Sequence, residues 1–118
     1  MIQIFGTRKC HDTRKAEMFF KERRMAYQFI DLAEKGMSRG ELRSVRASVP
    51  LDQLIDAEGR AYERLNLKHM RFDKEAALLE HPLLFRTPVV RDGNRATAGY
   101  CPDVWKGWIQ ASEAGSSF

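Results

Sequence analysis

The feature that most constrains the fold is a strand, a helix and a second strand within the first 31 residues. Residues 2–5 predict a short buried strand, and Gly6 and Thr7 end it. Good helix formers follow over 14–24 with apolar residues at helical spacing, and 27–31 is rich in aromatic and β-branched residues. This spacing predicts two parallel strands joined by a right-handed crossover.

The rest of the chain predicts a block of helices, then a hairpin and a last helix. Ser38 and Glu41 form a capping-box pattern, Pro50 stands early in a short helix, and Asp73 can cap another. A tight turn at 92–94 joins the two hairpin strands. The predicted elements are helices over 38–47, 50–55 and 74–80, strands over 88–91 and 95–99, and a helix over 102–111.

This order of elements predicts an α/β fold of the thioredoxin-like kind. A parallel βαβ unit joins an antiparallel ββα unit around one mixed four-stranded sheet. We expect a single domain over 1–111, with a helical insertion over about 36–81. The tail 112–118 is small and polar, and we expect it to be disordered.

Composition narrows the functional classes. Among 118 residues, 20 basic side chains against 16 acidic ones give a net charge of +4. The basic residues form no long run and are not interleaved with aromatic residues, so we predict no nucleic-acid partner. No apolar run approaches the roughly 20 residues of a membrane span, and no signal peptide precedes the first strand. Since two cysteines make no disulfide framework, we expect a cytoplasmic protein.

Cys10 is the candidate reactive group, because it lies between the end of the first predicted strand and the start of the first predicted helix. Free backbone N–H groups and the positive end of the helix dipole favour a thiolate there. Such settings lower a cysteine pKa from ~8.5 to roughly 3.5–7.5. The alternative is a small buried hydrophobe, a common fate of free cysteine. Four nearby cations are expected to add to the effect: Arg8, Lys9, Arg14 and Lys15.

Other chemically capable residues receive simpler interpretations. Thr13 is expected to place its hydroxyl near the sulfur of Cys10, and His11 is expected to be exposed. Cys101 is interpreted as structural, with a resolving role toward Cys10 as the alternative. His69 and His81 have no metal-ligand spacing with the cysteines, so we predict no metal and no bound organic cofactor. Five aromatic residues at helical spacing are assigned to the core: Phe19, Phe20, Tyr62, Trp105 and Trp108.

Three segments in order carry a resemblance to a known family: FGTRKCHDTRKA at 5–16, YERLNL at 62–67 and HPLLFRTPVV at 81–90. Gly99 and Tyr100 after the hairpin match as well. Together they resemble the ArsC/Spx family of thioredoxin-fold proteins over nearly all of 1–110. The start of the chain is most similar to the YffB-type branch, which is described as glutathione-dependent thiol reductases.

The resemblance implies several site residues and also shows departures. It implies a cysteine at the N-terminus of the first helix, matched by Cys10, and a cis proline opening the third strand, matched by Pro88. Arg86 matches the first of two basic residues before that proline. Arsenate reductases of the family hold their oxyanion with three arginines, whereas Spx-type regulators switch through a second cysteine. This chain has other residues at those four positions: Thr87, Asp56 or Glu58, and Tyr100 for the arginines, and Thr13 for the cysteine.

The resulting functional hypothesis is a monothiol oxidoreductase. Cys10 would attack a disulfide or an oxidised small substrate, and glutathione would release the adduct as co-substrate. Three cations would supply a positive field around the substrate, and Thr13, Thr87 and Pro88 would shape its site. These cations are Lys9, Arg14 and Arg86. The alternative is an Spx-like, non-enzymatic module that docks on a protein partner such as RNA polymerase, and arsenate reduction is a further enzyme hypothesis.

Overall fold

The structure of the chain is a computed structural model that describes residues 1–116, with side chains described through residue 111. Two short 3₁₀ turns, Leu67–His69 and Pro82–Leu84, lie between the regular elements. The strands are β1 (Ile2–Gly6), β2 (Tyr27–Asp31), β3 (Val89–Asp92) and β4 (Arg95–Ala98). The helices are α1 (His11–Glu22), α2 (Arg39–Arg46), α3 (Leu51–Leu54), α4 (Arg60–Arg64), α5 (Lys74–Glu80) and α6 (Pro102–Ser116).

The strands form one mixed sheet in the order β2-β1-β3-β4. β1 runs parallel to β2, with Ile4 opposite Phe29, and antiparallel to β3, with Ile4 opposite Val90. β4 pairs antiparallel with β3. The predicted mixed four-stranded sheet and the α/β class are therefore confirmed, and β1 occupies an inner position.

Two hydrophobic clusters hold the helices to the sheet. The larger one joins the helical insertion to the sheet through Leu42, Leu54, Leu78 and Phe85, among others. The smaller one joins α1 and α6 to the sheet, and Trp105 is fully buried within it. Because each large apolar side chain contributes roughly 1.5–3 kcal/mol when buried, each cluster fixes its helices firmly. The end of β1 that leads to α1 is thereby fixed from both sides.

Most predicted boundaries lie within three residues of the observed ones. α1 begins at His11 rather than at 14 and ends at Glu22, and Arg24 then adopts a left-handed φ of 56°. The predicted capping box at Ser38 and the Asp73 cap of α5 are confirmed. Side-chain hydrogen bonds to backbone N–H groups therefore set the starts of both helices.

Three predictions need correction. Tyr62 and Trp108 are only partly buried, because each packs at the margin of its cluster rather than inside it. The last helix continues past residue 111 to Ser116, so the predicted disordered tail is helical as far as that residue. Residues 117–118 of that tail lie outside the described residues. Within the described part of the chain, no helix is long and apolar enough to cross a membrane.

Candidate active site

Cys10 is the N-cap residue of α1. Its backbone carbonyl accepts the N–H of Arg14 at 3.2 Å, and its own N–H donates to the carbonyl of Thr7 at 3.2 Å. A tight turn after β1 thus places the side chain of Cys10 at the start of the helix. The residue as a whole is partly exposed.

Thr87 contacts the sulfur from the segment that precedes β3. Its hydroxyl donates a hydrogen bond of 3.1 Å to Sγ of Cys10, and its carbonyl oxygen lies 3.8 Å from the same sulfur. The peptide bond between Thr87 and Pro88 is cis, as the family resemblance implied. Of the three site residues predicted after residue 85, Thr87 therefore contacts the sulfur directly, and Pro88 follows Thr87 through the cis bond.

Thr13 lies one turn into α1, fully buried. Its hydroxyl makes no hydrogen bond of normal geometry with the other described residues. It nevertheless lies near enough to the sulfur to influence the ionisation of Cys10. The methyl and hydroxyl of Thr13 rest on the bare backbone of Gly6, where an added Cβ would overlap both. Thr13 thus occupies a fixed position between β1 and the sulfur.

Hydrogen bonding lowers the pKa of Cys10 below its ordinary value. Partial burial acts in the opposite direction, because it disfavours the charged form. The nearby hydroxyl of Thr13, the hydrogen bond from the Thr87 hydroxyl and the backbone N–H groups of Thr13 and Asp12 together outweigh that effect by stabilising the thiolate. These two N–H groups belong to the free first turn of α1, which is where the sequence predicted them.

The expected contribution of neighbouring cations is not found. No charged side chain contributes to the lowered pKa of Cys10. Arg8 pairs with Asp31 at 3.7 Å, and the ammonium of Lys15 lies 5.2 Å from the ring centre of Tyr100. Lys9 and Arg14 are exposed. The prediction that four cations act on the sulfur is therefore wrong, since these side chains extend into solvent or toward other partners.

Arg86 is exposed and supports the backbone before Pro88 rather than the sulfur. Its backbone N–H donates to the carbonyl of Leu54 at 2.7 Å, and its Nε donates to the carbonyl of Gln53 at 3.2 Å. Both contacts tie this segment to α3 of the helical insertion. The guanidinium therefore helps to hold Thr87 in place.

Cys101 is the other thiol, and it lies just before α6. Its Sγ donates to the carbonyl of Ala98 at 3.4 Å, and its side chain packs against the cluster that contains Trp105. Burial raises the pKa of Cys101, while the hydroxyl of Thr97 acts weakly in the other direction. Both cysteines are free thiols. The environments of Cys10 and Cys101 thus move their pKa values in opposite directions.

The described residues around Cys10 form neither a metal-binding cluster nor the set of three arginines that the resemblance associates with oxyanion binding. Within the described residues, no group of three or more His, Cys, Asp or Glu side chains lies close enough to bind a metal. At the positions where the family's arsenate reductases carry arginines, the Thr87 hydroxyl is directed at the sulfur and Tyr100 contacts Lys15. The Asp56 carboxylate accepts the backbone N–H of Glu58 at 3.2 Å.

Comparison with known proteins assigns the family. The sequence model of the ArsC family matches residues 5–108. The chain belongs to the ArsC family. It is 30% identical over 107 residues to the global transcriptional regulator Spx 2 of Oceanobacillus iheyensis, covering 86% of this chain and 78% of that protein. It is also 30% identical over 105 residues to the uncharacterised protein YusI of Bacillus subtilis, covering 83% of this chain and 89% of that protein.

Solved structures of this ArsC family and its relatives share the fold. A protein named YFFB superposes with a TM-score of 0.80 at 23% identity, covering 91% of this chain and 97% of that one. An arsenate reductase from Vibrio cholerae gives a TM-score of 0.74 at 24% identity, covering 86% and 92%. These likenesses establish the thioredoxin-like fold of this ArsC-family chain.

Two features of β1 and α1 were not predicted from the sequence. Gly6 was expected to end the first strand before it, whereas Gly6 is the last residue of β1 and gives Thr13 room. A glycine inside a strand often marks such a close approach, so the signal was present. The exposure of Met18 on α1, 56%, was not predicted either. The spacing of Met18, seven from His11 and three from Lys15, places all three on one helix face.

Proposed function

We propose that this protein is a monothiol oxidoreductase whose nucleophile is the thiolate of Cys10. The observation that carries the proposal is the hydrogen bond of 3.1 Å from Thr87 Oγ1 to the sulfur, at the N-cap of α1. A donor directed at sulfur favours the thiolate, which is the form that attacks disulfides. A lowered pKa makes this form more abundant near neutral pH.

The reaction consists of two thiol–disulfide exchanges. The Cys10 thiolate attacks one sulfur of a substrate disulfide, a new S–S bond forms, and the other sulfur leaves as a thiolate. Thr13 stands where a dithiol enzyme would carry its second cysteine, so an external thiol must release the adduct. We assign that role to glutathione. Its thiolate attacks the substrate sulfur of the mixed disulfide, so the Cys10 thiolate is restored and the substrate half leaves as a mixed disulfide with glutathione. The chemistry requires a reducing compartment, and we therefore place the protein in the cytoplasm.

Glutathione-dependent reduction of a small disulfide tests this proposal. The consumption of NADPH is followed with glutathione reductase as the coupling enzyme and 2-hydroxyethyl disulfide as substrate. We expect turnover by the native protein and by Cys101→Ser, and none above background by Cys10→Ser. Mass spectrometry without glutathione should detect a covalent adduct on Cys10. Equal turnover by Cys10→Ser would overturn the proposal.

A second candidate is a docking module of the Spx kind. It is favoured by the 30% identity to the global transcriptional regulator Spx 2, which extends over most of both chains. In this case the protein would bind RNA polymerase without any thiol chemistry. Co-purification of RNA polymerase that is equal for native protein and Cys10→Ser would support this function. Loss of capture in Cys10→Ser would favour the thiol chemistry.

Arsenate reduction is the weakest of the three hypotheses. Arginine guanidinium groups recognise a tetrahedral oxyanion through paired, charge-assisted hydrogen bonds. At the corresponding positions this chain has Thr87, Tyr100, and Asp56 or Glu58. We therefore expect no glutathione-coupled turnover of arsenate, and the same NADPH assay measures it.

A further inference from the structure

A groove lies on the protein surface between α1 and α6, with a volume of about 360 Å³. Met18 and Tyr100 line it and are 56% and 40% exposed. Single exposed apolar side chains are common, but exposed apolar side chains that lie together and are surrounded by polar residues indicate a binding surface. The charged side chains that line the groove are Lys15, Arg23, Lys106 and Glu22.

The groove is positively charged, with three cations against one carboxylate. Among the described side chains, none of these three cations forms an ion pair. The Lys15 ammonium lies over the ring of Tyr100, and Arg23 donates from Nη1 to the carbonyl of Phe19 at 3.0 Å. Lys15 is thus held by an aromatic ring and Arg23 by a backbone carbonyl. A carboxylate of a bound partner can therefore pair with either cation without breaking an ion pair within the protein.

The groove continues along α1 toward Cys10. A shallower depression is lined by His11, Arg14, Lys15 and Met18, and it shares the last two residues with the groove. With a rise of 1.5 Å per residue, Met18 stands about 12 Å along the helix from Cys10. An extended peptide spans that distance in about four residues. A segment bound to Cys10 can therefore reach the groove with side chains a few positions away.

We propose that this surface binds an acidic peptide segment that carries the disulfide reduced by Cys10. The proposal rests on the proposed oxidoreductase function and names its substrate class: a protein cysteine with Asp or Glu and an apolar residue three to five positions away. The carboxylates contact Lys15, Arg23 and Lys106, and the apolar side chain contacts Met18 and Tyr100. The Cys10 thiolate then attacks the peptide sulfur, and the former partner of that sulfur leaves as a thiolate.

The rate of this exchange tests the proposal directly. Synthetic peptides with one cysteine, blocked as a mixed disulfide with thionitrobenzoate, release a coloured thiolate when Cys10 attacks the peptide sulfur. One set carries Glu and Phe at the stated spacing, placed before or after the cysteine, and a matched set carries Gln for Glu. At low salt we expect at least one Glu peptide to react about tenfold faster than its Gln counterpart, because steering by opposite charge raises association rates.

Two charge-reversed proteins locate the effect. In Lys15→Glu/Lys106→Glu we expect the rate ratio of Glu to Gln peptide to fall to one or below. Lys68→Glu changes an exposed lysine on the helical insertion, away from the groove, and should keep the ratio. A ratio near one in the native protein, or an unchanged ratio in the double variant, would overturn the proposal.

A binding experiment separates this proposal from the thiol chemistry. Fluorescence anisotropy is measured with a labelled Glu peptide whose cysteine is replaced by serine, and with the Cys10→Ser protein. We expect saturable binding that weakens with salt and is lost in the charge-reversed double variant. Absence of binding with a reactive Cys10 refutes the groove and leaves the oxidoreductase proposal intact. If the Cys10→Ser protein binds this peptide but Cys10 of the native protein does not react with disulfides, the groove is supported and the oxidoreductase is refuted.

Discussion

The hydroxyl of Thr87 donates a hydrogen bond of 3.1 Å to the sulfur of Cys10, although the two residues lie 77 positions apart in the chain. Cys10 caps α1, whereas Thr87 belongs to the segment that leads into β3. A hydrogen bond to a charged group contributes about 1.5–3 kcal/mol. The pairing of these two residues is therefore expected to be a main determinant of Cys10 reactivity.

Replacing Thr87 by valine tests this relationship. Thr87→Val keeps the shape of the side chain and removes the donor, so the thiolate loses a stabilising contact and the pKa of Cys10 should rise. In a Cys101→Ser background, where Cys10 is the only thiol, we expect alkylation by iodoacetamide near neutral pH to slow about fivefold, which corresponds to about 1 kcal/mol. The matched control is Thr97→Val. It removes a hydroxyl that accepts the indole N–H of Trp105 at 2.9 Å. An equal slowing in both variants would contradict the assignment.

The two cysteines should ionise in different pH ranges. Hydrogen bonds hold the pKa of Cys10 below its ordinary value, whereas burial raises that of Cys101. Alkylation rates against pH, measured on Cys101→Ser and Cys10→Ser separately, should place the midpoint of Cys10 at the lower pH. If the two midpoints coincide or are reversed, the hydrogen bonds around Cys10 do not stabilise its thiolate.

The lowered pKa of Cys10 also predicts how stability depends on pH. Because the folded pKa lies below the unfolded one, the unfolded state binds more protons between the two values. The stabilisation is thus complete above the unfolded pKa and is lost as the pH falls through the folded pKa. In a Cys101→Ser background, urea unfolding should show the free energy of unfolding rising with pH across this interval. The rise should vanish when Cys10→Ser is added.

Gly6→Ala should destabilise the protein through Thr13. An alanine Cβ at this position would overlap the side chain of Thr13, which is fully buried and cannot move aside. Overpacking of this kind costs about 1–3 kcal/mol. The change is measured as the loss in free energy of unfolding by urea.

A double variant and a control identify the cause. Gly6→Ala/Thr13→Ala removes the overlapping atoms and should recover part of the loss, since the two positions are coupled. Gly40→Ala lies in α2 with open space around its added Cβ, and it should be neutral or stabilising by up to about 1 kcal/mol. No recovery in the double variant would mean that another contact limits position 6.

Local patterns in the sequence predicted most of the fold. The capping box at Ser38, the Asp73 cap and the alternation of strands and helices each depend on residues near one another in sequence. The end of α6 was predicted less well, because small polar residues after 111 fit a tail as readily as a helix. Tyr62 and Trp108 have helical spacing, but spacing does not show how completely a neighbouring element covers them.

The candidate site was predicted only in part. The position of Cys10 follows from a strand that leads into a helix, which the residues around it show directly. Its contact with Thr87 depends on how β3 pairs with β1, and no local pattern contains that information. Only the family resemblance implied that Pro88 and the residue before it lie beside the cysteine. The role expected of Arg8, Lys9, Arg14 and Lys15 failed because nearness in sequence does not give the direction of a long exposed side chain.

The Cys10–Thr87 contact joins parts of the molecule that belong to different hydrophobic clusters. α1 packs with α6, whereas the segment before Thr87 packs with the helical insertion and bonds to Leu54. A ligand that shifts the insertion relative to α1 therefore alters the acidity of the thiol from a distance. By thermodynamic reciprocity, ionisation or modification of Cys10 changes the affinity for that ligand by the same factor.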